Sequence, residues 1–235
     1  MKQIIKFSLW LLFIATLPYC QAAWHPYLGV GAGLSKSQNA LNVDFRDPNI
    51  SQTIAVNMDT TGLSGTVLAG VHNRQQHFFF ETEIFSSVHN FKNKRNGEVI
   101  MHTPLGDLSY ANLEFETSMR FTNGISFIVG KDLTSFADVF LKLDLLRSQF
   151  RVKYANTRTT GKGEQSKWLL GYAPGVGVQF HLTKNILTRF DYSYRIYNEF
   201  RTQNIAHEPT VQSTTISGRI APRVHQFALS LIYRF

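Results

Sequence analysis

The chain has little cysteine and no long apolar run, and each shortage excludes a class of protein. Its 235 residues include one cysteine, Cys20, which excludes a disulfide framework and a cysteine-based zinc site within the chain. A transmembrane helix needs about 20 consecutive apolar residues, and no run approaches that length. The mean hydropathy is -0.13, which argues further against a helical membrane bundle.

Charge is also sparse, whereas apolar and aromatic residues are abundant. Charged residues make up 17% of the chain and hydrophobic residues 43%, so wholesale disorder is not expected. The chain has 19 Phe and 9 Tyr, more aromatic residues than a soluble core of this size needs. The formal net charge is +8 at pH 7, which favours anionic partners.

The first 22 residues have the order of a secretory signal peptide. Lys2 and Lys6 are followed by the apolar run Phe7–Leu17, and small residues lie at Cys20 and Ala22. We predict cleavage after Ala22, with residues 23–235 forming one mature domain. The apolar run is too short for a membrane anchor. Export argues against nucleic acid as a partner, despite the basic charge.

Alternation with a period of two dominates the rest of the chain and predicts β-strands with one apolar and one polar face. An even number of such strands suits a closed antiparallel barrel in a membrane. We predict eight strands, at Tyr27–Leu34, Thr61–Val71, Phe78–Val88, Leu113–Lys131, Val139–Leu145, Trp168–Leu182, Ile186–Tyr197 and His225–Phe235.

Two of these strands carry predictions about phase. The fourth strand is expected to keep one phase from Glu114 to Val129, so that Phe115 and Met119 belong to the apolar face. In the fifth strand the alternation slips near Leu145, which predicts a β-bulge there. Beyond the slip, the apolar face is expected to continue through Phe150, Val152 and Tyr154.

The connections alternate in length, as in outer-membrane barrels with short periplasmic turns and long external loops. Short connections are predicted at Asn73–His77, Asp132–Asp138 and Leu182–Asn185. Long ones are predicted at Ser35–Thr60, His89–Asn112, Ala155–Lys167 and Asn198–Pro222. His72 and His77 flank a short turn and are expected to be solvated.

The polar face gathers glycines and ionisable residues, which predicts that it faces the interior of a barrel just wide enough for side chains. A lipocalin-type carrier would have the reverse arrangement, and a soluble β-sandwich is the other alternative. Aromatic residues near strand ends, including Tyr27, Phe78 and Trp168, are expected to form interfacial girdles. The predicted interior charges, which would pair and leave a plugged or at most narrowly conducting lumen, are Glu81, Glu83, Glu114, Glu116, Arg120, Lys142, Asp144, Arg189, Asp191, Arg195 and Arg234.

Three segments resemble those of small outer-membrane barrels. One of them, Gly175–Val178 followed by Leu182–Asn185, is similar to their third periplasmic hairpin. The segment Pro26–Gly33 (PYLGVGAG) is similar to the first strand of OmpA-like and opacity-type surface proteins. The alternating Phe227, Leu229, Leu231, Tyr233 and Phe235 resemble the C-terminal signal that the barrel assembly machinery reads in that family. The resemblance implies an all-β, eight-stranded antiparallel transmembrane up-and-down barrel in the bacterial outer membrane, monomeric and without a cofactor.

The predicted external loops carry the candidate binding residues. These cations would bind lipopolysaccharide or an anionic host ligand, and they are Arg151, Lys153, Arg158, Lys162 and Lys167 in one loop and Lys92, Lys94 and Arg95 in another. The resemblance to opacity-type proteins makes an adhesin-like role the preferred function, with a narrow porin or a lipid A-modifying enzyme as alternatives.

Chemistry is not expected from the sequence. Ser86, Ser87 and His89 are the best candidates for a hydrolytic site, but the spacing fixes no nucleophile, base and orienting group. The histidine and carboxylate spacings predict no metal site. We therefore expect a structural surface protein rather than an enzyme.

Overall fold

A computed structural model describes residues 24–47, 50–103, 106–156, 162–202 and 215–235. The predicted signal peptide lies outside these residues. Within the described ranges, no helix is long and apolar enough to cross a membrane. The described chain forms strands β1 (His25–Gln38), β2 (Ala40–Asp47), β3 (Ile50–Asn57), β4 (Thr60–Gln75), β5 (Phe78–Thr103), β6 (Gly106–Asp132), β7 (Ala137–Asn156), β8 (Lys162–His181), β9 (Ile186–Tyr197), β10 (Phe200–Thr202), β11 (Thr215–Ile220) and β12 (Arg223–Arg234).

Eight of these strands close into an antiparallel barrel in the order β1-β12-β9-β8-β7-β6-β5-β4. The first and last strands meet at a seam whose register runs from Tyr27↔Arg234 to Gln38↔Arg223. The prediction of an eight-stranded antiparallel barrel is therefore confirmed. At one end, which we call the turn end, the neighbouring strands are joined by the short connections around Gln76, 133–136 and 182–185.

The opposite end carries a second sheet that the sequence analysis assigned to loops. Strands β10, β11, β2 and β3 form a four-stranded sheet in that order. The hairpin β2–β3 comes from the connection after β1, whereas β11 comes from the connection before β12, and the two meet with Leu41 opposite Ile220. Because this pairing joins segments far apart in the chain, period-two alternation within either segment does not reveal it.

Two other predicted loops are largely strand. β5 and β6 continue their hairpin as far as the pair Thr103↔Gly106, beyond the predicted strand ends at Val88 and Leu113. β7 and β8 likewise continue to the pair Ala155↔Lys162. The barrel wall is therefore longer on this side. We give the name extension to these upper strand ends together with the second sheet. The upper ends are β5 from Phe91, β6 up to Met119, β7 from Phe150 and β8 up to Ser166.

Below the extension, the outward side chains of the barrel strands are exposed and mainly apolar, and we call this surface the apolar belt. The length of strand over which the outward side chains are apolar is near the 9–11 residues with which a tilted strand crosses a bilayer. Its members include Leu28, Val30, Leu34, Leu63, Val67, Val71, Phe78, Phe80, Ile84, Val88, Phe121, Ile125, Phe127, Val129, Val139, Leu141, Leu143, Leu145, Trp168, Leu170, Tyr172, Val176, Phe190, Phe227, Leu229, Leu231 and Tyr233.

In the extension the polarity of the two faces is inverted. Phe91, Phe115, Phe150 and Tyr154 are buried inside it in one cluster with Leu41 of the second sheet. Outward side chains at the same height, such as Lys94, Glu114 and Arg151, are charged. The apolar face of the sequence pattern therefore points outward in the belt and inward in the extension.

The predictions of which side chains of β6 and β7 face outward are therefore wrong above the belt. β7 keeps its phase throughout, so the predicted bulge near Leu145 is wrong, and Phe150, Val152 and Tyr154 are buried rather than outward. The irregularity lies in β6 instead, where the register shifts between Met119 and Thr122. The shift places Phe115 and Met119 inside the barrel.

Tyr27 is also inside the barrel, not in an interfacial girdle. It is 2% exposed, and its ring lies against Gly70 of the neighbouring strand. A Cβ at Gly70 would lie 2.5 Å from Cζ of Tyr27, so only glycine allows this ring to fill the lumen. The prediction for Tyr27 was wrong because it lies on the glycine phase of β1, which faces inward.

Candidate functional site

A buried ion-pair network occupies the lumen inside the belt. The guanidinium of Arg189 on β9 pairs with Glu81 and Glu83 on β5, across the lumen, with Nη1 2.8 Å from Oε2 of Glu83. The Tyr27 hydroxyl donates to Oε2 of Glu83 at 3.0 Å. All four side chains are almost fully buried, so the carboxylates depend on these partners instead of on water.

Two side chains from other strands complete the surroundings of Glu81. Nδ1 of His72 lies 2.9 Å from Oε1 of Glu81, and Nη2 of Arg234 lies 3.8 Å from the same oxygen. His72 is 2% exposed, so the expectation that it is solvated was wrong. It lies on the inward phase of β4, three residues before the strand ends at Gln75.

Two further ionic clusters lie above and below this network. Nearer the extension, Nζ of Lys142 lies 2.6 Å from Asp191 and 3.6 Å from Asp144. At the turn end, Arg74 pairs with Asp132 at 2.9 Å and with Asp138 at 2.6 Å. The turn-end cluster was not predicted, although its members follow the same inward phase.

Arg195 was predicted in the interior, and the structure places it there at 3% exposure. It lines a cavity of about 30 Å³ together with Asp144, Lys142 and Gln226. Within the described part of the chain, Nε and Nη1 of Arg195 and Oδ1 of Asp144 have no hydrogen-bond partner. The cavity has room for about one or two water molecules, which would bridge these groups.

Three interior predictions are wrong. Glu114, Glu116 and Arg120 lie on the outward face of β6, because the irregularity between Met119 and Thr122 reverses the phase of the strand above it. Glu114 and Glu116 therefore form ion pairs on the surface of the extension. The structure places the other predicted interior charges inside the barrel: Glu81, Glu83, Lys142, Asp144, Arg189, Asp191, Arg195 and Arg234.

The lumen changes from polar to apolar where the extension begins. A chain of hydrogen bonds runs from Nε2 of His89 to Thr122 (3.0 Å), from Thr122 to Ser148 (2.7 Å) and from Ser148 to Tyr197 (2.9 Å). The ring of Phe150 packs against Tyr197 with their centroids 4.9 Å apart. Above this level the buried side chains are mainly apolar.

Four of the predicted anionic-ligand residues lie on the outward face of the extension, and each is paired with a carboxylate: Lys92, Lys94, Arg151 and Lys153. Nζ of Lys94 is 2.8 Å from Glu114, and Nε of Arg151 is 3.0 Å from Glu164. Lys92 and Lys153 approach Glu116 at 3.4 and 3.7 Å, respectively. Arg95 and Lys167 are exposed. Arg158 lies outside the described residues, as does the side chain of Lys162.

Two arginines, Arg120 and Arg147, lie where the apolar belt meets this charged surface, and Arg147 was not predicted. Arg147 on β7 is exposed next above Leu145 on the outward phase, and its guanidinium lies 4.9 Å from the ring of Trp168. Arg120 is exposed beside Phe121 on β6. The signal that could have identified Arg147 is that it is the first cation on the apolar phase of its strand.

The candidate hydrolytic residues do not converge. Ser86 faces outward and donates to Oδ1 of Asn123 at 2.8 Å. Ser87 and His89 face the lumen, where they contact Thr66 and Thr122, respectively. Among the described residues there is also no group of three histidine, cysteine, aspartate or glutamate side chains that could hold a metal ion.

The proposed assembly signal lies on the outer surface of the final strand and just beyond it. Its five apolar side chains are exposed on the belt, with Phe235 following the end of β12, and they are Phe227, Leu229, Leu231, Tyr233 and Phe235. An apolar outer surface around a charged, closed cylinder defines an integral outer-membrane β-barrel.

The chain belongs to the outer membrane protein beta-barrel domain family, whose model matches residues 7–235. It is a small eight-stranded barrel of the bacterial outer membrane. No curated protein matches the chain.

Solved structures share this fold at low sequence identity. OprG from Pseudomonas aeruginosa is 14% identical, with 92% of this chain and 98% of OprG covered and a TM-score of 0.50. The outer membrane protease OmpT from Escherichia coli is 8% identical, with coverage of 90% and 96% and a TM-score of 0.50. Ail, the attachment invasion locus protein of Yersinia pestis, is 10% identical, with coverage of 89% and 99% and a TM-score of 0.39. These likenesses concern the fold alone.

Proposed function

We propose that this protein is a non-enzymatic surface barrel with a closed lumen, whose extension binds lipopolysaccharide or an anionic host ligand. The observation that carries the proposal is the inversion of polarity between the belt and the extension. The extension has a packed interior and a charged outer surface, as a soluble recognition domain has. A barrel devoted to passage of solutes would instead need an open, polar path along its axis.

The interior supports a closed lumen at two levels. In the belt, Arg189 bridges Glu81 and Glu83 across the lumen, and the Tyr27 ring fills space beside them. In the extension, apolar side chains such as Phe150 fill the cross-section. An ion would have to break buried pairs at the first level and lose its hydration at the second, and both steps are costly.

The outer surface supports an anionic ligand. Lys92, Lys94, Arg151 and Lys153 share three carboxylates, those of Glu114, Glu116 and Glu164. Exposed cations without such a partner among the described residues add to the positive side, namely Arg95, Lys167, Arg120 and Arg147. Such a surface attracts phosphorylated or sulfated glycans, with a strength that falls as salt rises.

The arrangement of Ser86, Ser87 and His89 supports a role without catalysis. The outward hydroxyl of Ser86 is on the opposite face of the wall from His89, so the histidine cannot act as its base. Ser87 lies inside the barrel with His89, where substrate access would require opening the closed lumen.

The test combines binding with two activities that the proposal excludes. Purified full-length protein should bind lipopolysaccharide micelles or heparin at low ionic strength and release them as salt increases. It should give no steady conductance in planar bilayers and no mass change in lipid A when overexpressed. Steady conductance would support the narrow porin instead, and a lipid A mass change would support the enzyme. Absence of binding at low salt would overturn the recognition role.

A further inference from the structure

We propose that Arg120 and Arg147 form a phosphate-binding site for lipid A on the outer wall of the barrel. The proposal rests on the proposed function, because it assigns one of its ligands to a specific site. The site lies across β6, β7 and β8, at the upper edge of the apolar belt. It differs from the cationic surface of the extension in position and in its lack of paired carboxylates.

The irregularity in β6 directs Arg120 into this site. Thr122 faces the lumen, and uninterrupted alternation would place Arg120 there too. The register shift between Met119 and Thr122 leaves both Arg120 and Phe121 exposed on the outer face. A bulge commonly re-aims a side chain in this way, and here it places a cation beside the lipid-facing ring of Phe121.

Arg147 is held in the same region by an aromatic platform. Its guanidinium lies 4.9 Å from the ring of Trp168 on β8. This cation–π contact limits the orientations of the side chain and leaves the edges of the guanidinium to donate hydrogen bonds. A stacked arginine is therefore partly pre-organised for an anion.

The two arginines are close enough to share one ligand. Arg147 is opposite Asn123 in the register of β6 and β7, and Arg120 lies three positions along β6 from Asn123. At about 3.3 Å per residue, the two Cα positions are separated by about 10 Å along the strands, a span that two arginine side chains can cover together. Gln149 and Asn123 supply neutral polar groups between them.

The height of the site selects the phosphate of a glycolipid. Leu145 lies immediately below Arg147 on the outward phase of β7, and the exposed Leu170 is opposite Arg147 on β8. Arg151 and Ser166 lie above it on the polar extension. In the outer leaflet, lipid A places its phosphates at this same boundary, with its acyl chains alongside the belt and its sugars beside the extension.

The chemistry of the pair favours phosphate. Neither guanidinium forms an ion pair with a carboxylate of the described residues, whereas Arg151 and Lys94 do. Arginine presents parallel N–H groups that bind phosphate oxygens in a bidentate fashion. Lysine supplies charge without this geometry, so an arginine-to-lysine substitution separates the two contributions.

The experiment measures binding of purified lipid A to the full chain in nanodiscs. The test variant is Arg120→Gln with Arg147→Gln. A second variant, Arg120→Lys with Arg147→Lys, keeps the charge. The matched control is Lys131→Gln with Lys184→Gln, two exposed lysines at the turn end of the barrel. Heat-modifiable gel mobility checks that each barrel has folded. Lipid A with and without its phosphates, and phosphatidylglycerol, are the three probes.

We expect the double glutamine variant to bind phosphorylated lipid A about tenfold or more weakly, as loss of charge-assisted hydrogen bonds implies. The lysine variant should recover part of this loss, and the control should change little. Dephosphorylated lipid A should bind weakly to every variant, and phosphatidylglycerol should not match phosphorylated lipid A.

Other outcomes overturn the assignment in distinguishable ways. Unchanged binding of phosphorylated lipid A by the double glutamine variant would refute this site, and it would leave the proposed function intact because the unsubstituted protein still binds. Equal binding of phosphatidylglycerol and lipid A would show a general phospholipid contact instead. Failure of the unsubstituted protein to bind lipopolysaccharide and heparin at all would remove both proposals.

Discussion

The apolar belt and the extension are built from the same strands, yet they bury opposite faces. In the belt, Leu141 and Leu143 face outward while Lys142 and Asp144 face the lumen. Higher on the same strand, Phe150 and Val152 face inward while Arg151 and Lys153 face outward. β7 changes neither direction nor phase between these points. The comparison shows that the surroundings of each strand segment, lipid or water, select which face is apolar.

The strongest test of the comparison is in the belt interior. Arg189→Met leaves the carboxylates of Glu81 and Glu83 buried without their main cation, which we expect to lower the free energy of unfolding by about 5 kcal/mol. Urea unfolding in lipid vesicles, followed by tryptophan fluorescence, measures the loss. Adding Glu81→Gln and Glu83→Gln removes the stranded charges and should restore much of the stability. An Arg189→Met protein as stable as the parent would contradict a network held by mutual pairing.

The core of the extension gives the next effect. Phe150→Ala removes a buried ring and should cost about 4 kcal/mol. The matched control is Phe127→Ala in the belt, where lipid chains can occupy the vacated space, so the loss should be clearly smaller. The same unfolding assay compares the two variants. Equal losses would mean that the extension is not packed as a protein core.

Charge insertion tests the outward faces. Leu141→Arg places a cation within the belt, with an expected cost of about 3 kcal/mol if the belt lies in hydrocarbon. Gln149→Arg, on the same strand and phase but at the edge of the extension, should cost less than about 1 kcal/mol. Vesicle-based unfolding measures both. Similar costs at the two positions would place the lipid boundary elsewhere.

The smallest effect is expected from the surface ion pairs. Lys94→Ala breaks the 2.8 Å pair with Glu114, yet an exposed pair of this kind contributes less than about 1 kcal/mol. Unfolding at low and high salt should show a small difference that disappears as screening increases. A larger loss, insensitive to salt, would indicate that the pair is part of the core.

The sequence predicts the belt well because lipid imposes one rule on every strand. Glu81 and Glu83 alternate with apolar residues, and that alternation places them in the lumen before any partner is known. The partner of both, Arg189, lies more than a hundred residues away on β9, and the pairing follows from barrel closure, which alternation does not encode. Composition therefore predicts an interior network but not its pairs.

The extension is predicted poorly because alternation separates the two faces of a strand but does not show which of them is buried inside the barrel. Phe115 and Glu114 alternate as regularly as Phe127 and Ser126, although Phe115 is buried and Phe127 is exposed. The shift that reverses β6 at Arg120 leaves no distinctive residue type. A usable signal exists on β5, where Lys92 and Lys94 continue the phase of Val88 and mark the end of the lipid-facing run.

The position of the second sheet has a consequence for the seam between the first and last barrel strands. The β1–β12 ladder ends at Gln38↔Arg223, and the pairing resumes almost at once between β2 and β11, from Leu41↔Ile220 to Arg46↔Thr215. The backbone N–H of Arg223 also donates to Oδ1 of Asn39 at the junction, at 3.2 Å.

The two seam strands, β1 and β12, are thus held together by backbone pairing within the belt and by the pairing of β2 with β11 above it. Lateral separation of β1 and β12 would require breaking the hydrogen bonds of the β2–β11 ladder as well as those of the β1–β12 ladder. Because β2 follows β1 and β11 precedes β12 in the chain, this second ladder adds to the hydrogen bonds that hold the two ends of the barrel domain together.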